Sequence, residues 1–166
     1  MKVVVQKCLE SSVSVDGKVV SSIKKGLMVL VGFTLDDTEK DIEYLTKKVV
    51  NLRIFEDENG IMNRSVLDEQ GEILCISQFT LYGDAKKGNR PSYVQAMNGE
   101  QAIKFYDLYC EKLNEFVSTK KGVFGADMKV SLINDGPNAL PGNTLIISTP
   151  ASIAVIISVI VIQPDI

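Results

Sequence analysis

The sequence predicts an α+β fold in a single domain: an antiparallel sheet, or partly closed β-barrel, with two amphipathic helices packed on one side. Three observations predict it. Short β-branched segments recur with turn chemistry between them, two other stretches carry apolar residues at helical spacing, and no repeat or long linker divides the chain. The chain has 166 residues, 45% hydrophobic and 23% charged, which is enough to bury one core and too apolar for disorder.

The elements follow in order. Residues 2 to 6 and 11 to 20 read as strands that begin a β-meander, with Asp16-Gly17 as a type I' hairpin signal. Residues 27 to 34, Leu-Met-Val-Leu-Val-Gly-Phe-Thr, form a near-continuous apolar run, as a central strand buried on both faces requires. From Asp37 to Leu52 the period changes. Ile42, Leu45, Val49 and Leu52 share one helical stripe, and Asp36, Asp37 and Thr38 are candidate caps for this first helix. Asn59-Gly60 marks a second hairpin, and residues 72 to 82 read as a strand. The second helix is expected over residues 100 to 117, with Ile103, Tyr106, Cys110, Leu113 and Val117 at helical spacing. Residues 127 to 134 alternate apolar Met128, Val130 and Leu132 with polar neighbours, the pattern of a half-exposed strand. That strand must end at Asn134-Asp135-Gly136-Pro137, which cannot extend a ladder.

Residues 1–137 thus form the main body, and residues 138–166 an atypical apolar C-terminal extension. Between Gly136 and Pro164 there is no charged residue. The β-branched enrichment favours strands at 144 to 149 and 153 to 162, separated by Pro150 and belonging to the same domain. The rival reading is a membrane anchor over 145 to 162, but it would hold Pro150 and several hydroxyls and lacks flanking Lys or Arg.

Histidine is absent from the sequence, which removes the usual neutral-pH general base and the commonest metal ligand. Ser-His-Asp hydrolases, Cys-His proteases and His-ligated zinc hydrolases cannot be assembled from this chain. Cys8, Cys75 and Cys110 lie far apart without CxxC spacing and read as reduced core thiols, which together with the strand-like N-terminus predicts a cytoplasmic protein. A net charge of -3 argues against tracking a long stretch of DNA or RNA by phosphate neutralisation. Gripping an RNA end is still open: Lys86, Lys87, Asn89 and Arg90 form a local basic cluster that either meets a few phosphates or is simply solvated.

Chemistry is then left to backbone donors, hydroxyls and glycine-rich turns, and three patches offer them. Ser77-Gln78-Phe79-Thr80-Leu81 follows an apolar strand, so a site built there would be held by the sheet; the alternative is a strand merely emerging into solvent. Gly122-Val123-Phe124-Gly125-Ala126-Asp127-Met128 combines close backbone approach with Phe124 and Met128 as surfaces for a ring, unless these are ordinary core residues. Asn134-Asp135-Gly136-Pro137 either presents two carbonyls rigidly or is a plain turn.

Taken in this order, the motifs resemble the D-aminoacyl-tRNA deacylase family over roughly residues 1 to 137. The resemblance includes Met1-Lys2-Val3-Val4-Val5-Gln6, Asn51-Leu52-Arg53-Ile54-Phe55-Glu56-Asp57, Ser77 to Leu81, Lys87-Gly88-Asn89-Arg90-Pro91, Gly122 with Phe124-Gly125-Ala126 and Met128, and Asn134 to Pro137. It implies a homodimer that hydrolyses the ester of D-aminoacyl-tRNA, and of glycyl-tRNA mischarged on tRNA-Ala, as chiral proofreading in translation. It implies no metal, cofactor, DNA partner or membrane. A Gly-Pro pair in cis, here Gly136-Pro137, would enter the partner's pocket, fix the substrate's α-amino group and leave no room for an L-side chain. The Phe79 backbone N–H, with Thr80 close by, would stabilise the oxyanion, Ser77 and Gln78 would shape the site, and Phe124, Gly125 and Met128 would meet the terminal adenosine. Water activation falls to the RNA's own 2'-hydroxyl; the alternative makes Thr80 a nucleophile.

Two departures accompany the resemblance. The family's usual Arg beside the Gly-Pro carbonyls is Lys7 here, which lacks the planar fork, and Asn138-Ala139-Leu140-Pro141 follows in place of the family's short final strand. The rival functions are therefore an impaired RNA-end-binding homologue and a membrane-associated protein held by its tail.

Overall fold

The structure, a computed structural model, describes residues 1–86 and 88–136 and the backbone of residues 144–148. Its first strand, β1 (Lys2–Val15), joins the expected segment 2 to 6 to the first half of the expected segment 11 to 20, whose second half lies beyond the Asp16-Gly17 turn in the next strand. It stays continuous because it changes neighbours along its length. Residues 2 to 8 pair with β3 (Gly26–Gly32), and residues 11 to 15 with β2 (Lys18–Ile23). The Asp16-Gly17 turn has φ of 50° and 75° at its two positions, the left-handed pair that a type I' hairpin needs.

After β3 come α1 (Glu39–Val50), a hairpin of β4 (Phe55–Glu56) and β5 (Met62–Arg64), and β6 (Glu72–Ser77). Next are a 3-10 turn (Phe79–Tyr82), α2 (Gly99–Asn114), β7 (Thr119–Lys121) and β8 (Met128–Asn134), with β9 (Thr144–Ser148) last among the described residues. The main sheet is ordered β2-β1-β3-β6-β7, and β8 and β9 also pair with β1. Cys8 pairs with both Gly26 of β3 and Asn134 of β8, so these two strands occupy opposite edges of β1.

The sheet, expected as antiparallel or a partly closed barrel, is mixed and nearly closes. β3 pairs parallel with β6, and β6 parallel with β7. Parallel neighbours require crossovers, and the two crossovers carry α1 and α2. Crossovers of one hand along a sheet put their helices on one face, and the two helices do pack against each other and the same core. The ends of the sheet approach closure where the Ser21 hydroxyl of β2 donates to the Lys121 carbonyl of β7 at 2.7 Å.

Each central strand feeds two cores by simple alternation. Leu27, Val29 and Val31 of β3 and Ile73 and Cys75 of β6 face the helices, meeting Ile42, Leu45, Val49, Tyr106, Tyr109 and Leu113. Met28 of β3 and Leu74 and Ile76 of β6 face the barrel interior with Cys8, Val13 and Ile23. Residues 27 to 32 are therefore covered on both faces, as their unbroken apolar run predicts.

The helices sit close to their expected positions. Thr38 is the cap of α1, its backbone N–H donating to the Asp41 carboxylate at 2.8 Å, while Asp37 instead takes the N-terminal ammonium and the Thr34 N–H. Asn98 caps α2 by accepting from the Gln101 N–H at 3.0 Å. The second helix ends at Asn114 and not at Val117, because the Asn114 side chain accepts from the Thr119 N–H at 3.0 Å and leads the chain into β7. Ile103 is exposed, so Ala102 and Tyr106 carry the stripe there. Residues 79 to 82, read as strand, form the 3-10 turn.

Of the apolar extension, β9 adds to β1 through Lys2↔Ser148 to Gln6↔Thr144, within the 144 to 149 segment expected as the first tail strand. The expected strand at 153 to 162 lies outside the described residues, as do Pro137 and Lys87. Among the described residues no helix is long and apolar enough to cross a membrane.

Candidate active site

β6 is buried from Ile73 to Ile76 and surfaces at Ser77, so the polar residues that follow are launched from a fixed strand. The Gln78 N–H still donates to the Val31 carbonyl at 2.7 Å, and the chain then tightens into the 3-10 turn. Gly32 of β3 permits the approach: a Cβ there would lie 2.8 Å from the Gln78 carbonyl oxygen. Phe79 opens the turn, and the first N–H groups of a helical turn have no partner within it. Its ring is 57% exposed and meets Tyr93 edge-on at 5.2 Å between centroids. The Gln78 side-chain amide donates to the Thr80 hydroxyl.

The opposite wall leaves β7. Gly122 follows Lys121, and a Cβ on it would fall 2.6 Å from the Met128 sulfur and 3.0 Å from Ile76 Cδ1, so any side chain there would have to push the ends of these two side chains aside. A turn from Val123 to Ala126 follows, closed at 3.2 Å, with Gly125 at a φ of 77°. Phe124 is half-buried with its ring 5.8 Å from that of Tyr106.

Between the walls is a half-open cavity of about 610 Å³. Ser77, Gln78, Phe79, Phe124, Gly125 and Met128 all line it, which joins two patches some forty residues apart in sequence. Sequence reading missed Phe33, Tyr93, Met97 and Ala102, which line the same cavity; no local motif signals them, because Phe33 enters from the end of β3 and the others through the loop before α2 and its first turn. Thr80 is not a lining residue and touches the site through Gln78. The charged side chain in the lining is Asp127, 84% exposed and 2.8 Å from Lys129.

Lys7, Asp135 and Gly136 are elsewhere. None of them lines the cavity. Lys7 is buried, its ammonium 3.5 Å from the Asp135 carboxylate and 5.9 Å from the Phe55 ring centre, and its carbonyl accepts from the Asp135 N–H at 3.0 Å. Gly136 follows at a φ of 122°, open to glycine alone. Lys86 and Arg90 are exposed on the loop closed by paired bonds between Asp84 and Ser92, directly before Tyr93.

The three thiols are buried and free. Burial pushes the Cys8 thiol up to about 11 and that of Cys75 well above its usual range. Among the described residues no cluster of His, Cys, Asp or Glu is placed to hold a metal.

The small α+β barrel carries, between two strand ends, a cleft that presents hydroxyls, an amide and backbone groups, and its family is one of hydrolases that act on an aminoacyl-tRNA ester. The chain belongs to the family described as D-Tyr-tRNA(Tyr) deacylase, whose family model matches residues 4–141. It is 57% identical over 144 residues to a D-aminoacyl-tRNA deacylase of Clostridium novyi (strain NT), covering 84% of this chain and 95% of that one. It is 52% identical over 139 residues to a D-aminoacyl-tRNA deacylase of Bacteroides fragilis (strain YCH46), covering 82% and 93%. A solved structure described as c-Myc DNA Unwinding Element Binding Protein is similar at a TM-score of 0.83 and 44% identity, over 90% of this chain and 99% of that one. A probable eukaryotic D-amino acid tRNA deacylase shares the fold at a TM-score of 0.74 and 17% identity, over 89% and 98%.

Proposed function

We propose that this D-aminoacyl-tRNA deacylase breaks the ester between the amino acid and the tRNA 3' end in the cleft between Ser77–Thr80 and Phe124–Met128. The observation that carries the proposal is the position of Phe79, first residue of a turn set on the end of a buried strand, with its N–H unused by that turn and its residue lining the cavity. On this reading the terminal adenosine lies against Phe124, Gly125 and Met128, and the Phe79 N–H meets the oxyanion as water adds to the carbonyl carbon. The RNA's 2'-hydroxyl assists the water, the 3'-oxygen leaves with a proton, and free amino acid and tRNA are the products. Ser77 and Gln78 shape the cleft, and Thr80 orients Gln78. A chain without histidine supports the RNA-assisted route.

Selectivity, in this proposal, comes from Gly136 and Pro137 of a second copy, whose carbonyls hold the α-amino group so that an L-side chain collides with protein. Glycine, having no side chain, is accepted. The separation of Gly136 from the cavity within one chain supports delivery from a partner and hence a homodimer. The setting is cytoplasmic proofreading of translation. The DNA-binding name of one structural neighbour belongs to that protein; the net charge of -3 disfavours the same role here.

Purified full-length chain incubated with D-Tyr-tRNA and L-Tyr-tRNA tests the reading, with released tyrosine as the measurement. Release from the D-ester alone is expected, and glycine mischarged on tRNA-Ala should also be freed. Equal release from both enantiomers, or none from either, would remove the proposal.

A further inference from the structure

We infer that Tyr106 is a positioning residue for deacylation: its hydroxyl ties together the two strands whose ends carry the two walls of the cleft. The inference rests on the proposed function above, in which Phe124 seats the adenosine and Phe79 faces the oxyanion.

The geometry is that of a fork. β6 and β7 run parallel, paired from Ile73↔Thr119 to Cys75↔Lys121, and there the ladder stops. One strand goes on to Ser77 and the 3-10 turn, and the other passes through Gly122 to Phe124. Tyr106, on α2 and only 1% exposed, reaches this branching point. Its O–H donates to the Cys75 carbonyl at 2.8 Å, and its oxygen accepts from the Gly122 N–H at 3.1 Å. The same Gly122 N–H also donates to the Cys75 carbonyl at 3.0 Å, so three groups close one small triangle. The Tyr106 ring then supports the Phe124 ring at 5.8 Å with a tilt of 43°.

One side chain thus holds β6 two residues before Ser77, holds the opposite wall two residues before Phe124, and backs Phe124 itself. Burial drives the Tyr106 pKa far above its ordinary range, so the group stays a neutral hydroxyl that both donates and accepts. It lies behind the cleft, outside the lining, and takes no part in proton transfer. Removing the hydroxyl leaves Gly122 and Cys75 bonded to each other, so the fold is kept, while the joint between the walls loses its tie to α2.

The test is steady-state kinetics on D-Tyr-tRNA with wild type, Tyr106→Phe, Phe124→Leu and the double variant, each checked for a cooperative thermal melt. Tyr106 backs the Phe124 seat for the adenosine, which is occupied in ground and transition states alike, so for Tyr106→Phe we expect about a fivefold to tenfold rise in KM with kcat within about twofold. The double variant should bind little worse than Phe124→Leu alone, since Tyr106 acts through Phe124. A merely structural role would lower kcat with the active fraction and leave KM unmoved; that result overturns the inference. If Tyr106→Phe gives no cooperative melt, Gly122→Ala displaces the same joint from its other side, and an unchanged KM there overturns the inference equally. Failure of the underlying reading looks different: wild type would release no D-tyrosine, or Phe124→Leu would leave KM unchanged.

Discussion

The cleft and the Gly136 turn are built by opposite means, although the proposed chemistry needs both at one point. The cleft is an outgrowth of the core. Its walls continue strands buried up to Ile76 on one side, and on the other pass Gly122, wedged between Met128 and Ile76. The turn stands at the end of a half-exposed strand and is held by polar contacts, the Lys7–Asp135 ion pair and the Asp135 N–H to the Lys7 carbonyl. Packing gives stiffness to the first, and charge and hydrogen bonding give orientation to the second. On our reading the rigid half performs the acyl chemistry and the separately held half chooses the enantiomer, so substitutions in the two should fail in different ways.

The largest separation is expected from Phe79→Pro. Proline deletes the N–H assigned to the oxyanion yet suits the first position of a helical turn, and Gln78 before it, at a φ of -145° and a ψ of 87°, already lies outside the helical region that a following proline disfavours. Loss of one such donor costs about 10²- to 10³-fold in kcat. Phe79→Leu keeps the donor and should retain most of the rate. Equal losses in the two variants, measured by single-turnover release from D-Tyr-tRNA, would place the function of Phe79 in its ring.

Next in size is the turn. Lys7→Met leaves the Asp135 carboxylate without its buried cation, so the Gly136 backbone loses an anchor. The rate on D-Tyr-tRNA divided by that on L-Tyr-tRNA should fall about tenfold, with Lys7→Arg holding or raising it, since the guanidinium fork grips a carboxylate in two places. A uniform drop on both enantiomers would mean that the turn belongs to the rigid half after all.

These contrasts also explain what was legible in the sequence. The strand at 27 to 34 could be read because burial on both faces leaves an unbroken apolar run, and the stripe Ile42, Leu45, Val49 because burial of one helix face imposes a period of 3.6. The mixed character of the sheet could not, because pairing is non-local: nothing within residues 72 to 77 says that Gly26 to Val31 lies alongside in the parallel sense. The three-residue β7 has too few residues to show a period. Of the site, Ser77 to Thr80 and Phe124 to Met128 were visible through their glycines and hydroxyls and through family resemblance. Tyr93, Met97, Ala102 and Tyr106 were not, since an apolar or aromatic residue on a loop or helix stripe reads the same whether it backs a cleft or a core.

A smaller effect is expected at Thr80, and it separates orientation from nucleophilic attack. Thr80 is exposed, outside the cavity lining, and bonded to the Gln78 amide. Thr80→Val frees that amide to solvent and should lower kcat/KM by about threefold, within what one exposed hydrogen bond contributes. A nucleophile removed would abolish turnover, and a trapped acyl-enzyme in rapid-quench experiments on wild type would show the same route.

The smallest effect should come from the thiols, and it bears on whether the rigid half uses any titrating nucleophile. With its pKa pushed up to about 11 by burial, Cys8 is ionised to about one part in a thousand at pH 8, and burial likewise holds the Cys75 thiol protonated. The sign follows from desolvation: burial disfavours the thiolate, so raising the pH towards 11 is needed before alkylation competes. Iodoacetamide at pH 8 should leave native protein unmodified by mass and fully active on D-Tyr-tRNA, whereas unfolding in guanidinium should expose all three cysteines to reaction. Loss of activity in step with alkylation of the native chain would put a reactive sulfur in the catalytic path, and the division between a cleft of main-chain donors and a selecting turn would no longer hold.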